Sequence, residues 1–304
     1  MPFNIPLSYR RVFFLYPRST ICPVKSIVVA MSTNRTTHIE RTAQEPRDKS
    51  LLPVKLSKIE QVNEAIRSFR LLLPRPVKFS AGQWLDTYVP GADKPGGFTI
   101  TSRPSDASFA DEPYFDLAVQ ASPENPPAAW LWQPPSKIIG STLQVRVGGS
   151  FVFPPQDVAM DGIRRVVFVA GGVGINPLVS MIGHITDGGY DVDVKVLYAS
   201  KVPKGGLREV LFLERIAGWF AQGKLKGELK VFATGGANKE VENAGFEVLT
   251  RRFGIEDIRE AVGEKPDEGL VYVCGPQGMT DELVEGLTGE GGFDKRRVLV
   301  EKWW

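Results

Sequence analysis

Cysteine and histidine are almost missing from this chain, and their scarcity removes whole classes of chemistry. Its two cysteines, Cys22 and Cys274, cannot build a disulfide framework. Nor can they ligate an iron–sulfur cluster, which takes four ligands. His38 and His184 add too little for a zinc site, so no metal is expected. His184 falls in a predicted helix and reads as a surface or packing residue. Charge is also sparse in excess: the net charge is +2, without a basic stripe interleaved with aromatics. That excludes nucleic acid as an expected partner. No apolar run approaches the ~20 residues needed to span a bilayer, so no transmembrane segment is expected. No Ser/His/Asp set points to a hydrolase.

What remains is an ordinary globular composition, with 42% hydrophobic and 24% charged residues. A length of 304 residues holds two domains of usual size. The first stretch stands apart. It carries Arg10, Arg11, Arg18, Lys25 and Arg35 with hydroxyl residues, and no acid precedes Glu40. This suits a mitochondrial targeting segment better than a secretory signal, whose apolar core is more continuous. The alternatives are a disordered tail of a cytoplasmic protein, or translation starting at Met31. Residues 1–50 are therefore set aside from the fold.

Residues 51–160 read as β structure. Strand-like runs (54–59, 68–73, 84–89, 98–101, 114–119 and 143–147) alternate with Pro and Gly clusters, which predicts a small antiparallel barrel. One helix is expected at 128–133. Residues 161–304 alternate strand and helix. Strands are expected at 166–170, 194–199, 229–233, 270–274 and 298–301, with helices at 207–220 and 276–287. Such alternation implies a parallel sheet with ligands at the carboxyl ends of its strands. The segment around Gly235 to Gly245 reads as the least ordered internal loop.

The most informative stretch is RRVVFVAGGVGINP, Arg164 to Pro177. A β-branched strand meets a glycine cluster, and Ile175, Leu178, Met181, Ile182 and Ile185 then recur at helical period. Gly171, Gly172 and Gly174 allow a sharp turn and close approach to a ligand. The first N–H groups of the new helix favour a phosphate there. Proline at 177 replaces the third glycine of the usual dinucleotide fingerprint, and it is tolerated in a first helical turn. Three further pieces accompany it: GGFTITSRP from Gly96, VYVCGPQGMTDEL from Val271, and the terminal VEKWW. Cys274 would lie at the carboxyl edge of the sheet, where a lone cysteine by itself reads as packing. The terminal tryptophans cover either apolar surface or a planar ring.

In this order the motifs resemble the ferredoxin–NADP reductase superfamily, and within it the oxidoreductase NAD-binding domain-containing proteins. The resemblance covers residues 51–304. It implies a flavin-type β-barrel followed by a parallel-sheet nucleotide-binding domain. Gly171, Gly172, Val173, Gly174, Ile175 and Asn176 would cradle a pyridine-nucleotide pyrophosphate. Cys274, Gly275 and Pro276 would border the nicotinamide. Phe98, Thr99 and Ser102 align with the flavin-contacting segment, Thr99 nearest the reacting nitrogen. Trp303 or Trp304 would stack on the flavin ring, and Glu301 would assist proton handling. Gly148 to Phe151 match a barrel-closing turn and are assigned structure.

One departure bears on the flavin. Family members carry Arg-x-Tyr-Ser where this chain has Gly96-Gly97-Phe98-Thr99. The missing guanidinium would weaken binding of FAD by about 10- to 100-fold. Backbone N–H groups near Pro127 to Trp130 are expected to compensate. After the strand at 194–199 there is no carboxylate; Ser200 and Lys201 follow instead. They would accept the 2′-phosphate of NADP, or else Lys201 is a solvated loop residue, which leaves NAD and NADP open. The resemblance thus implies an NAD(P)H-dependent flavoprotein oxidoreductase using FAD and a separate, unidentified electron acceptor. The alternative is a nucleotide-binding module of the same fold without tight flavin binding.

Overall fold

The protein is described by a computed structural model over residues 37–235, 245–289 and 292–302. The first described element is a short helix, α1 (His38–Arg41), opened by a reciprocal capping box between Thr37 and Glu40. Six strands follow: β1 (Leu52–Asn63), β2 (Ile66–Leu72), β3 (Trp84–Tyr88), β4 (Gly96–Thr99), β5 (Tyr114–Gln120) and β6 (Thr142–Gly148). They pair antiparallel in the order β4-β3-β6-β1-β2-β5. The sheet is barrel-like and not closed, since one isolated bridge, Ile100 to Leu117, joins its ends. Leu56, Leu71, Leu85, Ile100, Phe115 and Leu117 fill its interior. Helices α2 (Pro126–Leu131) and α3 (Pro135–Ile138) bury Ala128, Leu131 and Ile138 against that core.

The boundary expected at residue 50 lies earlier. Residues 1–36 are outside the described residues, but those from Thr37 onward belong to the fold. The His38 ring meets Trp84 edge-on at 4.7 Å. Its Nε2 lies 2.9 Å from an Asp86 carboxylate oxygen. Arg47 donates to Asp86 at 3.0 Å, and Arg146 reaches the same carboxylate at 2.6 Å. Asp86 is completely buried, so these partners are what make its charge tolerable there. Glu45 accepts from both the backbone N–H and the hydroxyl of Ser150, pinning the arm to the Gly148–Gly149 turn. That turn is structural, as expected.

The second half has six parallel strands: β7 (Arg165–Gly171), β8 (Asp193–Lys201), β9 (Lys226–Thr234), β10 (Glu247–Leu249), β11 (Gly269–Cys274) and β12 (Val298–Glu301). Their order is β10-β9-β8-β7-β11-β12. Helices α4 (Ile175–Thr186), α5 (Leu213–Ala221), α6 (Ile255–Val262) and α7 (Gln277–Thr288) cover both faces. On β7, Val166, Phe168 and Ala170 enter one core while Val167 and Val169 enter the other. Burial on both faces explains the unbroken apolar run of that strand.

The helix expected at 207–220 is broken. Its carbonyl at Glu209 accepts from the Asn63 side chain at 3.0 Å, and Phe212 adopts a left-handed φ of 59°. Val210, which is extended, and Leu211, in the turn after it, enter the core before α5 begins. The expected loop at 235–245 falls almost wholly on 236–244, outside the described residues.

Candidate functional site

The carboxyl ends of β7 and β11 bring two glycine turns back to back. A Cβ on Gly174 would sit 2.2 Å from the Cys274 carbonyl oxygen, so only glycine permits this contact. A Cβ on Gly171 would meet the Met279 sulfur and Pro276 at 2.7 Å, and one on Gly275 the Met279 methyl at 2.2 Å. Gly172 differs: its φ is +54° and nothing lies within 4 Å of the Cβ position, so its face is open. Two of the glycines expected to admit a ligand therefore serve the joint between turns, and Gly172 is the one that faces space.

A cleft of about 420 Å³ opens in front of these turns, within the range of small-molecule sites. Gly171–Gly174, Asn176, Gly275 and Pro276 form one wall; Gly97, Phe98, Thr99 and Ala118 to Gln120 form the other. A second cavity of about 200 Å³ continues past Gly172 and Val173 to Ser200 and Lys201 at the end of β8. The walls keep their register because α4 is fastened to the barrel along one face. Asn176 donates to the Ala118 carbonyl at 2.9 Å and Ser180 to the Ser102 carbonyl at 2.7 Å. Farther along, Asp187 accepts from Arg103 at 2.7 Å and Ser105 at 2.8 Å. Positions 176, 180, 183 and 187 follow helical period, and Gly183 makes room for the Arg103 stem. This polar stripe was visible in the sequence, opposite the apolar one, but its partner was not.

Several expected site residues lie elsewhere. Cys274 is completely buried in a hydrophobic cluster, and its neighbours Gly275 and Pro276 form the wall in its place. Ile175 is likewise core. Ser102 is buried, with its hydroxyl accepting from the Asp116 N–H at 3.1 Å, which makes it a structural tie. Trp303 and Trp304 are outside the described residues. Thr99 and Phe98 do line the cleft.

Glu301 ends β12 in register with Cys274, partly buried. Burial and the nearby Glu45 carboxylate push its carboxyl well above the usual range. A raised folded-state value means wild-type stability is full below the ordinary carboxylate range and is lost as pH rises through the folded value. Glu301→Gln is accordingly expected to gain in melting temperature over wild type as pH rises from acid toward neutrality. Parallel melting curves across that range would contradict it.

The fold implies two dinucleotides, and the residues treat them differently. A pyridine nucleotide fits. The first N–H groups of a helix have no acceptor within it, Gly172 leaves the approach open, and Lys201 supplies a cation at the far end. The diphosphate of FAD finds fewer anchors here. Among the described residues, no cationic side chain lines the larger cleft. A side chain at position 96 would strike Phe98 at 2.6 Å and Pro127 at 2.9 Å, so the place of the missing arginine is filled. The compensation expected near Pro127 to Trp130 also fails. Pro126 and Pro127 have no N–H, while those of Ala128 and Ala129 are already bonded to Asn125.

Comparisons with known proteins agree with this architecture. Residues 168–285 match the family described as the oxidoreductase NAD-binding domain. Oxidoreductase NAD-binding domain-containing protein 1 of Pongo abelii is 32% identical over 302 residues, covering 94% of this chain and 90% of that protein. Its Homo sapiens counterpart is 30% identical over 297 residues, with 94% and 90% covered. Among solved structures, a ferredoxin NADP+ reductase from Neisseria gonorrhoeae with bound FAD and NADP superposes with a TM-score of 0.62. It is 16% identical, with 84% of this chain and 99% of that one covered, and shows the shared fold.

Proposed function

We propose that this chain, which belongs to the oxidoreductase NAD-binding domain-containing protein 1 family, is a pyridine-nucleotide-dependent oxidoreductase. The observation that carries this reading is one cleft with a phosphate-accepting turn on one wall and Phe98 and Thr99 on the other. A bound pyridine nucleotide supplies hydride chemistry. The chain's part is positional. Gly172, Val173 and Gly174 present backbone to the pyrophosphate, Gly275 and Pro276 bound the ring end, and Phe98 with Thr99 offers the acceptor an apolar face.

Firm retention of FAD is no part of this reading, because its diphosphate finds no cationic side chain among the described residues of the cleft. The acceptor is instead a separate planar molecule that comes and goes. Anaerobic oxidation of NADH or NADPH by free riboflavin or a soluble quinone, catalysed by the purified protein, is the expected result. The same missing anchor favours one other reading, a nucleotide-binding module without turnover. Nucleotide binding with no oxidation by any such acceptor would select it.

Lys201 is proposed to meet the 2′-phosphate of NADP. Lys201→Glu should lower the affinity for NADPH relative to NADH by about tenfold. An unchanged ratio in a fluorescence titration returns Lys201 to a solvated loop. Residues 1–36 are proposed to direct the chain to mitochondria, and a reporter fused to them that stays in the cytoplasm would contradict this.

A further inference from the structure

Asn176 was expected within a pyrophosphate cradle, but its side chain carries different information. Its Nδ2 donates to the Ala118 carbonyl at 2.9 Å. A carbonyl only accepts, so that bond fixes which end of the amide is nitrogen. Oδ1 is therefore the atom left over, and it is buried with no hydrogen-bond partner. The residue is only 8% exposed, and it lines the larger cleft beside Ala118. A buried acceptor without a donor is costly, and native structures leave few of them. Pyrophosphate cannot relieve it, since phosphate oxygens are acceptors too. What Oδ1 lacks is a hydrogen-bond donor.

The position says which part of the nucleotide brings that donor. Ser200 and Lys201 line only the second cavity, beyond Gly172 and Val173, whereas Asn176 lines the larger cleft, across from the wall that carries Phe98. Resting on the pyridine-nucleotide reading, we propose that Asn176 is a specificity-determining residue. Its Oδ1 accepts from the carboxamide NH₂ of the nicotinamide, and the site thereby rejects the deamido dinucleotide, which carries a carboxylate at that place. In the wild-type amide, the Ala118 bond occupies Nδ2 and leaves Oδ1 as the acceptor.

Isothermal titration of the whole chain with NADH, NADPH and their deamido counterparts tests it. Wild type should bind the carboxamide forms about 10- to 100-fold more tightly, because a carboxylate has no N–H to give and sets acceptor against acceptor at Oδ1. In Asn176→Ala that preference should fall to within about threefold, as the acceptor is gone. Asn176→Asp keeps an acceptor while losing the donor to Ala118, and should keep the preference. Equal binding of both forms by wild type overturns the assignment, as does a preference that survives in Asn176→Ala. Should the alanine chain not fold, loss of preference in Asn176→Asp overturns it. Failure of wild type to bind any of the four overturns the underlying reading instead.

Discussion

Gly174→Ala is expected to weaken NADH and NADPH binding by about 100-fold, because its methyl group has nowhere to go. The added carbon would lie 2.2 Å from the Cys274 carbonyl oxygen and 2.5 Å from its carbon. Both are backbone atoms of a fully buried strand end and cannot rotate aside. The phosphate-facing turn must then move by about 1 Å, a displacement of the size that costs two orders of magnitude in a positioned site. Gly172→Ala acts by another route. Its methyl group meets nothing of the protein within 4 Å, so besides the strain of its positive φ, about 1–2 kcal/mol, it narrows the approach to the turn itself. Titration by nucleotide fluorescence measures both losses. Gly174→Ala binding within threefold of wild type would refute the close-packed joint.

Asp86→Ala should cost about 3–5 kcal/mol of stability. It leaves Arg47, Arg146 and the buried His38 ring around an empty space. Burial alone would raise the Asp86 carboxyl, but hydrogen bonds from His38 and Arg146 and the charge of Arg47 outweigh it and hold the value low. A depressed folded-state value contributes stability above the ordinary carboxylate range, and that contribution disappears as pH falls through the lowered value. Wild type should therefore lose stability steeply in acid, and Asp86→Ala much less steeply. Urea midpoints at neutral and acid pH measure both. Because Asp86 lies opposite Gly97 in register, the substitution should also loosen Phe98 and Thr99 on the cleft wall.

Periodicity carried most of the architecture. Strands with strong alternation or continuous β-branched runs were readable to within a few residues, as was the helix whose apolar stripe starts at Ile175. Three features were hidden because tertiary contacts decide them. The break before α5 depends on Asn63, 146 residues away along the chain, taking the Glu209 carbonyl. The arm from Thr37 to Arg47 reads as part of a basic leader until Asp86 is known to be buried beneath it. Strand β10 has only three residues, too few for a pattern.

The site was legible in its glycines and less so in its side chains. GGVG and CGP were identifiable turns, but that they abut, and so exclude Cβ atoms, follows only from sheet order. Cys274 sat at the expected edge with its side chain facing a core, since alternation along β11 sends Leu270, Tyr272 and Cys274 the same way. The proline pair at 126 and 127 was visible from the start. Its consequence, a helix start with no N–H to offer, appears once Asn125 is seen to bond the next two.

The most direct test of the account is hydrogen–deuterium exchange of the purified protein with and without NADPH or NADH. Protection confined to the amides of Gly171 to Asn176 (Pro177 has none), Gly275 and Gln277, Ser200 and Lys201, and the facing strand around Phe98 and Thr99 is the predicted result. Protection elsewhere, or none at saturating nucleotide, would contradict the claim that this cleft is where the chain holds a pyridine nucleotide.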